Sequence, residues 1–490
     1  MFIAREVGLR AHSSQRFFFQ TAVEIPVLSI ARAIISVLRT PSRNSHVHNF
    51  LSLHFDLYIR AIDMRQKLAI VGATMIDGLG GKPVKDSMVV VDGKRIESAG
   101  HRSEMDVLPD YEIINGEGMW LLPGLIDLHV HIFHEAYVPY PIKGNMMSYA
   151  AVIAMSNLRS ALQTGITTLR DVCNVEHLDL AMRTAIERGQ LLGPRMFVAG
   201  KGICITGGHG SEQRGVVHEV DTPWEVRKAV RAEVKAGVDF IKLLSSHRTD
   251  CPEFSQEEIE AGVDEAHRLG KKVAIHAANF ESVRMAAEAG VDTIEHGSHV
   301  DERSAELMAE KGIILVPTLM MKNSVLEYIT KRKGEGKDVW NLDPKELEET
   351  ELWFTKCVEQ LPKTMKLVLA KGVRIGAGTD DVSIDTPFAM LPEEMECMTR
   401  YGMSNMEVIE SATRIGAEAI GKEDDFGTIE PGKYADLIMV DRDPLEDISV
   451  FKEVLWVMKE GIIVPLQPEW KRRPVKDPYI SNTNRARERF

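Results

Sequence analysis

LLPGLIDLHVHI, residues 121–132, is an apolar run that passes through Pro123 and Gly124 and ends on His129-Val130-His131. A short apolar run bounded by turn residues reads as a buried strand. Period-two alternation puts the imidazoles of His129 and His131 on one side of it, where both can hold one metal ion. Working outward, seven more runs of this texture follow: GITTLRDV (165–172), RMFVAGKGI (195–203), DFIKLLSS (239–246), KVAIHAAN (272–279), DTIEHGS (292–298), IILVPTL (313–319) and RIGAGTD (374–380). Helical stretches separate them, such as TPWEVRKAVRAEVKAGV (222–238) and SQEEIEAGVDEAHRLG (255–270), where Ser255 and Glu258 make a capping box. Strands alternating with helices give a parallel sheet with crossovers, and eight such units make a closed barrel the economical reading. The stretch 320–365 exceeds an ordinary connection, is polar and helical, and reads as a lid over the barrel mouth.

On either side of the barrel the pattern is β. KLAIVGATMIDG (67–78) and SMVVVDGKRIESAG (87–100), with a turn at Asp92-Gly93, predict a small antiparallel sheet. FGTIEPGKYADLIMVDRDP (426–444) and EVLWVMKEGIIV (453–464) carry the same short strands broken by Gly and Pro. The expected fold is therefore α/β: a (β/α)8 TIM-like barrel over 121–424, and a small β-sandwich domain built from both chain ends, 64–120 and 425–466. Residues 1–63 form an N-terminal extension and 467–490 a C-terminal tail that includes the basic, solvated KRRPVKDP (471–478).

The extension has its own composition, with seven Arg, no Lys and four acids, a net of +3 within a chain of net −13. An Arg-rich, acid-poor segment suits an organelle transit peptide as well as a poorly ordered extension upstream of a start at Met64. The cytoplasm is the expected compartment, with the mitochondrion the alternative if residues 1–63 direct import. The run Val27 to Leu38, interrupted by Arg32, is shorter than the ~20 residues of a spanning helix. No membrane partner is expected. The acidic balance of the chain argues against a nucleic-acid partner, since phosphate binding rests on clustered Lys and Arg. Five scattered cysteines without a CxxC indicate neither a disulfide framework nor a cysteine zinc site. A small-molecule substrate and a homo-oligomer are expected.

In a barrel of this kind the chemistry lies where the strands end. Strand five ends near His276, strand six near His296 and strand eight at Asp380. Together with His129 and His131 they form a set of N and O donors suited to a divalent metal site. Strand four carries Lys242 among Phe240, Ile241, Leu243 and Leu244. An ammonium there would be repelled by cations, but carbamylation by CO2 converts it to an anion able to bridge two ions. The alternative is a lysine paired with a carboxylate such as Asp380. Arg170 and Asp171 end strand two, where a guanidinium holding a substrate carboxylate and an Arg170–Asp pairing that closes the barrel both stand. His134 and His299 read as solvated loop histidines, and the methionines of MLPEEMECMTRYGM (390–403) as core filling.

Over residues 67–465 the chain resembles the amidohydrolase superfamily, specifically its imidazolonepropionase-like and prolidase-like (Xaa-Pro dipeptidase-like) members. The resemblance rests on PGLIDLHVH (123–131), GITTLRD (165–171), GPR (193–195), TGGHG (206–210), DFIKL (239–243), AIHAA (274–278), IEHG (294–297), GTD (378–380) and GTIEPGKYADLIMVD (427–441). It implies His129, His131, a bridging carbamylated Lys242 and Asp380 on one metal, with Lys242, His276 and His296 on the other. Imidazolonepropionases hold one metal and lack a lysine on this strand, so Lys242 points to the binuclear, peptidase-like branch, in which zinc is usual. SSHRTDCPEFS (245–255), without a glycine, departs from relatives that follow the lysine with a Gly-rich loop.

What the resemblance implies is a metal-dependent amidohydrolase acting on carbon–nitrogen bonds: an N-acyl amino acid or Xaa-Pro-like dipeptide attacked by a metal-bridging hydroxide. Asp380 would act as proton acceptor and donor. His209, in the glycine-rich TGGHG, would contact substrate. A deaminase or cyclic amidohydrolase on the same barrel, and a non-catalytic dihydropyrimidinase-like scaffold, are the alternatives.

Overall fold

The computed structural model describes residues 67–106, 111–133, 146–246, 251–340, 342–380 and 388–466. The extension 1–63, His134, the tail and part of the glycine-free segment 245–255 lie outside these. The described residues fall within one compact unit, Arg65–Phe490.

The barrel follows the expected strand count with three local differences. Leu125–Val130, Ile166–Asp171 and Arg195–Val198 pair in parallel. A second parallel run joins Phe240–Leu244, Lys272–Ala277, Thr293–His296 and Ile314–Val316. Hydrogen bonds across two seams close the ring. On one, Asp239 N–H donates to Val198 O at 2.8 Å, and Ile203 pairs with Leu243. On the other, Ile375 bridges Leu315, while Leu128 N–H donates to Ala377 O at 2.9 Å and Asp380 N–H to His129 O at 2.7 Å.

The differences have physical reasons. The stretch 121–132 is not one strand: Trp120–Pro123 belongs to the β domain and the barrel begins after Gly124, where an added Cβ would lie 2.2 Å from Thr167 Oγ1. Strand three breaks into Arg195–Val198 and Gly202–Cys204 around Gly200, whose φ is +67°. RIGAGTD is extended chain with a single bridge instead of a ladder. It lies so close to strand one that a Cβ on Gly378 would come within 3.0 Å of His129 N, and only glycine fits.

The two chain ends meet in one eight-stranded sheet, in which Leu437–Val440 pairs antiparallel with Trp120–Pro123. The hairpin of Val84–Asp92 and Arg95–His101 turns at Gly93, as the Asp92-Gly93 signal predicts. The sheet bends back on itself: Ile96 N–H donates to Lys433 O, and Ala435 N–H to Lys94 O, both at 2.9 Å. This wraps the strands of the one sheet around an apolar centre that includes Ile70, Val89, Val91, Leu121, Leu437 and Met458.

The outer helices bury one face each, and the Ser255–Glu258 capping box forms as read. Met395, Met398 and Met403 are buried, in keeping with core filling. The stretch 320–365 becomes two helices, Leu319–Gly334 and Pro344–Ala370, which pack together beside the mouth. Among the described residues, no helix is long and apolar enough to cross a membrane.

Candidate active site

At the C-terminal ends of the strands lies a cavity of about 160 Å³. His129, His131, His209, Lys242, His276, His296 and Asp380, the residues singled out from sequence, all line it. The rings form a chain with centroids 5.5 Å apart for His129–His131, 4.9 Å for His129–His296, 4.3 Å for His276–His296 and 4.3 Å for His209–His276.

Asp380 is the hub. Its Oδ1 is 3.6 Å from His129 Nε2 and 3.5 Å from His131 Nε2, and its Oδ2 is 3.9 Å from His296 Nδ1. These separations exceed a good N–H···O bond. Two ligands ~2.1 Å from one tetrahedral ion stand roughly 3.4 Å apart, so the spacing of the two strand-one imidazoles from Asp380 matches donors that share an ion. Burial alone would raise the Asp380 pKa, but the positive charge facing it, that of Lys322 included, holds the carboxyl below its usual range.

The imidazoles are oriented for the same task. His129 Nδ1 is 2.7 Å from Glu295 Oε2 and His131 Nδ1 is 3.1 Å from Cys173 O. Burial lowers the His129 pKa to about 4, so the ring is neutral at neutral pH. Glu295 is ionised: burial pushes it up, yet Arg170 and His129 pull it well below the usual range. A carboxylate only accepts, so the proton of the neutral His129 ring lies on Nδ1 and its Nε2 lone pair faces Asp380.

Lys242 is 1% exposed and its Nζ has no hydrogen-bond partner among the described residues. Burial lowers its pKa to about 8. The ion pair with Asp380 that sequence left open is not formed. A buried, orphaned amine among histidines fits carbamylation far better than a structural lysine.

Arg170 takes neither role considered for it. Its Nη2 donates to Glu295 at 2.6 Å, its Nε to Leu128 O at 2.6 Å and its Nη1 to Thr293 Oγ1 at 3.0 Å, all buried inside the barrel. Asp171 instead accepts from Ile132 N and Asn174 Nδ2. Nor is His299 a solvated loop residue: its ring contacts Phe280 and Trp353, and its Nδ1 is 2.9 Å from Ala278 O. His209 reaches the cavity on a loop anchored by its own N–H, which donates to Glu253 Oε2 at 3.0 Å.

Sequence reading missed Glu295 and Asp127. Asp127 accepts from His129 N and Thr379 N, both at 3.1 Å, and from Thr379 Oγ1 at 2.8 Å, so it ties strand one to the segment bearing Asp380. A signal existed: Asp127, His129 and His131 share one strand face by alternation. Glu295 was hidden because alternation puts it opposite His296, the residue that drew attention. The left-handed backbone of His296, φ +71°, turns that ring back into the cavity.

Arg170 and Glu295 form a buried ion pair, 3% and 0% exposed. Glu295→Gln leaves the guanidinium without its anion and is expected to destabilise the protein by about 3–5 kcal/mol. The double change Arg170→Met with Glu295→Met should recover most of that in urea denaturation, and a double variant as unstable as the single one would contradict the pairing.

A closed barrel whose strand ends converge on histidines, a buried lysine and an aspartate is the build of a metal-dependent hydrolase. Residues 120–464 match the amidohydrolase family, and the chain belongs to it, as an enzyme hydrolysing carbon–nitrogen bonds. It is 29% identical over 436 residues to ochratoxinase of Aspergillus niger, covering 81% of this chain and 86% of that protein. Among solved structures it is similar to a Xaa-Pro dipeptidase with methionine bound in its active site: 32% identity, TM-score 0.72, 81% of this chain and 100% of that one. A prolidase complexed with N-methylphosphonate-L-proline has 29% identity and TM-score 0.72, covering 82% of this chain and 100% of that one.

Proposed function

We propose that the protein is a binuclear hydrolase of small amides, with an N-acyl amino acid or Xaa-Pro-like dipeptide as substrate. His129, His131, Lys242 and Asp380 would hold one ion, and Lys242, His276 and His296 the other, with zinc the metal and Lys242 carbamylated. The single observation that carries this reading is the orphaned Lys242 amine among the histidines. The dipeptidase and prolidase likenesses, one with a free amino acid in its site, support the substrate class.

Two divalent ions held there would lower the pKa of a shared water from about 15.7 to about 7 and polarise the substrate carbonyl. Asp380 takes the proton released during attack and passes it to the departing amine, which leaves poorly as an anion. Glu295, through His129, keeps the imidazole in the tautomer that offers Nε2. His209 contacts the substrate from the loop opposite, and the helices Leu319–Gly334 and Pro344–Ala370 limit water beside the reacting bond. We assign the barrel to 125–424 and the β domain to 64–124 with 425–466, a boundary later than the sequence alone suggests because Trp120–Pro123 pairs with Leu437–Val440.

Metal analysis of protein prepared with zinc and bicarbonate is expected to give about two ions per chain. A panel of dipeptides and N-acyl amino acids should then yield a substrate whose hydrolysis a chelator abolishes and zinc restores. One ion with turnover of a ring substrate would favour a deaminase or cyclic amidohydrolase instead, and a metal-free, inert protein would favour the scaffold.

A further inference from the structure

The helices flanking the cavity bring a charge that the hydrolytic scheme leaves without a task. Lys322 lies in the first turn of Leu319–Gly334, is 3% exposed and lines the cavity. Its Nζ donates to Thr318 Oγ1 at 2.9 Å, Pro317 O at 3.1 Å and Thr318 O at 3.4 Å, all neutral acceptors, and it has no ion-pair partner among the described residues. A cation in a first helical turn opposes the helix dipole, and a buried cation with no anion in direct contact, Asp380 and Glu394 acting on it only from a distance, is unfavourable. Glu394 does not neutralise it at hydrogen-bond distance, since its two oxygens accept from Leu319 N and Met320 N. Beside the ammonium the wall is apolar, formed by Met321 and Val325 of the same helix and by Trp353 and Phe354 of Pro344–Ala370.

We infer that this corner is the specificity subsite: Lys322 binds the free carboxylate of the substrate, and Met321, Val325, Trp353 and Phe354 hold a large apolar, preferably aromatic, group beside it. The inference rests on the proposed hydrolysis of small amides and narrows it to N-acyl amino acids or dipeptides with a bulky apolar side chain. The cavity, about 160 Å³, compares with the ~150 Å³ that accommodates a benzene ring, which suits one ring and disfavours a longer peptide. A substrate carboxylate supplies the directly contacting anion that no described residue gives the lysine. Arg170, the other cation considered for this role, is engaged with Glu295 beneath the site.

The test is calorimetric binding to the zinc-loaded full chain of three probes: N-acetyl-L-phenylalanine, its C-terminal amide and N-acetyl-L-alanine. The acid is expected to bind roughly ten- to a hundredfold more tightly than the amide, as a charge-assisted hydrogen bond implies. Lys322→Met, which replaces a buried cation by an apolar chain of similar length, should bring that ratio close to one, and Lys322→Gln should do the same if the methionine variant folds poorly. The acid-to-amide ratio cancels any indirect effect through Thr318 on His296. Trp353→Ala should weaken the phenylalanine probe by about tenfold relative to the alanine probe. A wild-type ratio near one, failure to bind either form, or a ratio that survives both Lys322 changes because the carboxylate rests on the metals would overturn the inference. Binding is read without turnover, so loss of the hydrolase reading shows separately, as a metal-loaded protein that binds the acid and cleaves no amide.

Discussion

Lys242→Met is expected to lower kcat/KM by about a thousandfold or more and to leave fewer than two ions per chain. Lewis-acid stabilisation by a bound ion is worth several kcal/mol, and each ~1.4 kcal/mol is a factor of ten in rate. The same change should leave the metal-free protein as stable as wild type or more so, because it removes a buried amine whose Nζ has no hydrogen-bond partner among the described residues. Loss of activity with unchanged or higher stability separates a bridging lysine from one that merely fills strand four. The chemistry adds a second readout. A neutral amine takes up CO2 to give a carbamate and a proton, and burial that lowers the Lys242 pKa to about 8 enlarges the neutral fraction. Wild-type protein stripped of metal and refilled without bicarbonate should therefore regain activity more slowly than with it. A methionine variant that keeps two ions and wild-type turnover would remove Lys242 from the site.

How far such a site can be read from the chain depends on whether its parts are local. The eight strands were legible because each is an apolar run bounded by turns, and the donors His129, His131, His276, His296 and Asp380 end those runs. The join at Gly124 was not, since Trp120–Pro123 and Leu125–Val130 read as one run although they serve different sheets. Backbone conformation hid more. Strand alternation puts Glu295 and His296 on opposite faces, and only the positive φ at His296 lets both act on one cavity. Asp380, with φ +52°, is likewise aimed by a left-handed backbone, locked by its N–H donating to His129 O.

Partners distant in sequence were the least legible. Arg170 has an acid as its immediate neighbour, Asp171, yet its guanidinium reaches Glu295 across the barrel. In an inward-facing side chain, direction is set by the pleat, and i and i+1 point apart. Lys322 falls in the stretch 320–365, which the sequence shows only as polar and helical. Its burial follows from how Leu319–Gly334 packs on Pro344–Ala370, which no local pattern encodes.

Asp380→Asn is expected to lower kcat by about 10²–10⁴-fold, the usual contribution of a positioned acid–base group, while KM and metal content stay near wild type. Asparagine keeps the shape of the side chain and the Asp380 N–H bond to His129 O, so the strand geometry should survive. What it loses is the capacity to take a proton. In the proposed arrangement His129 and His131, each with Nε2 about as far from Asp380 as two donors sharing one ion, would still hold that ion together with Lys242. The balance between kcat and metal content decides between two roles for the carboxylate. If zinc falls in parallel with kcat, and added zinc restores the rate, Asp380 acts chiefly as a ligand. If zinc stays and the rate does not return, the proton transfer belongs to Asp380, and the leaving amine then departs unprotonated in the variant. Amide substrates should accordingly suffer more than esters of the same acid, whose alkoxide leaving groups need a proton less. Equal losses on amide and ester would remove Asp380 from the donor step and leave it only the acceptance of the proton from water.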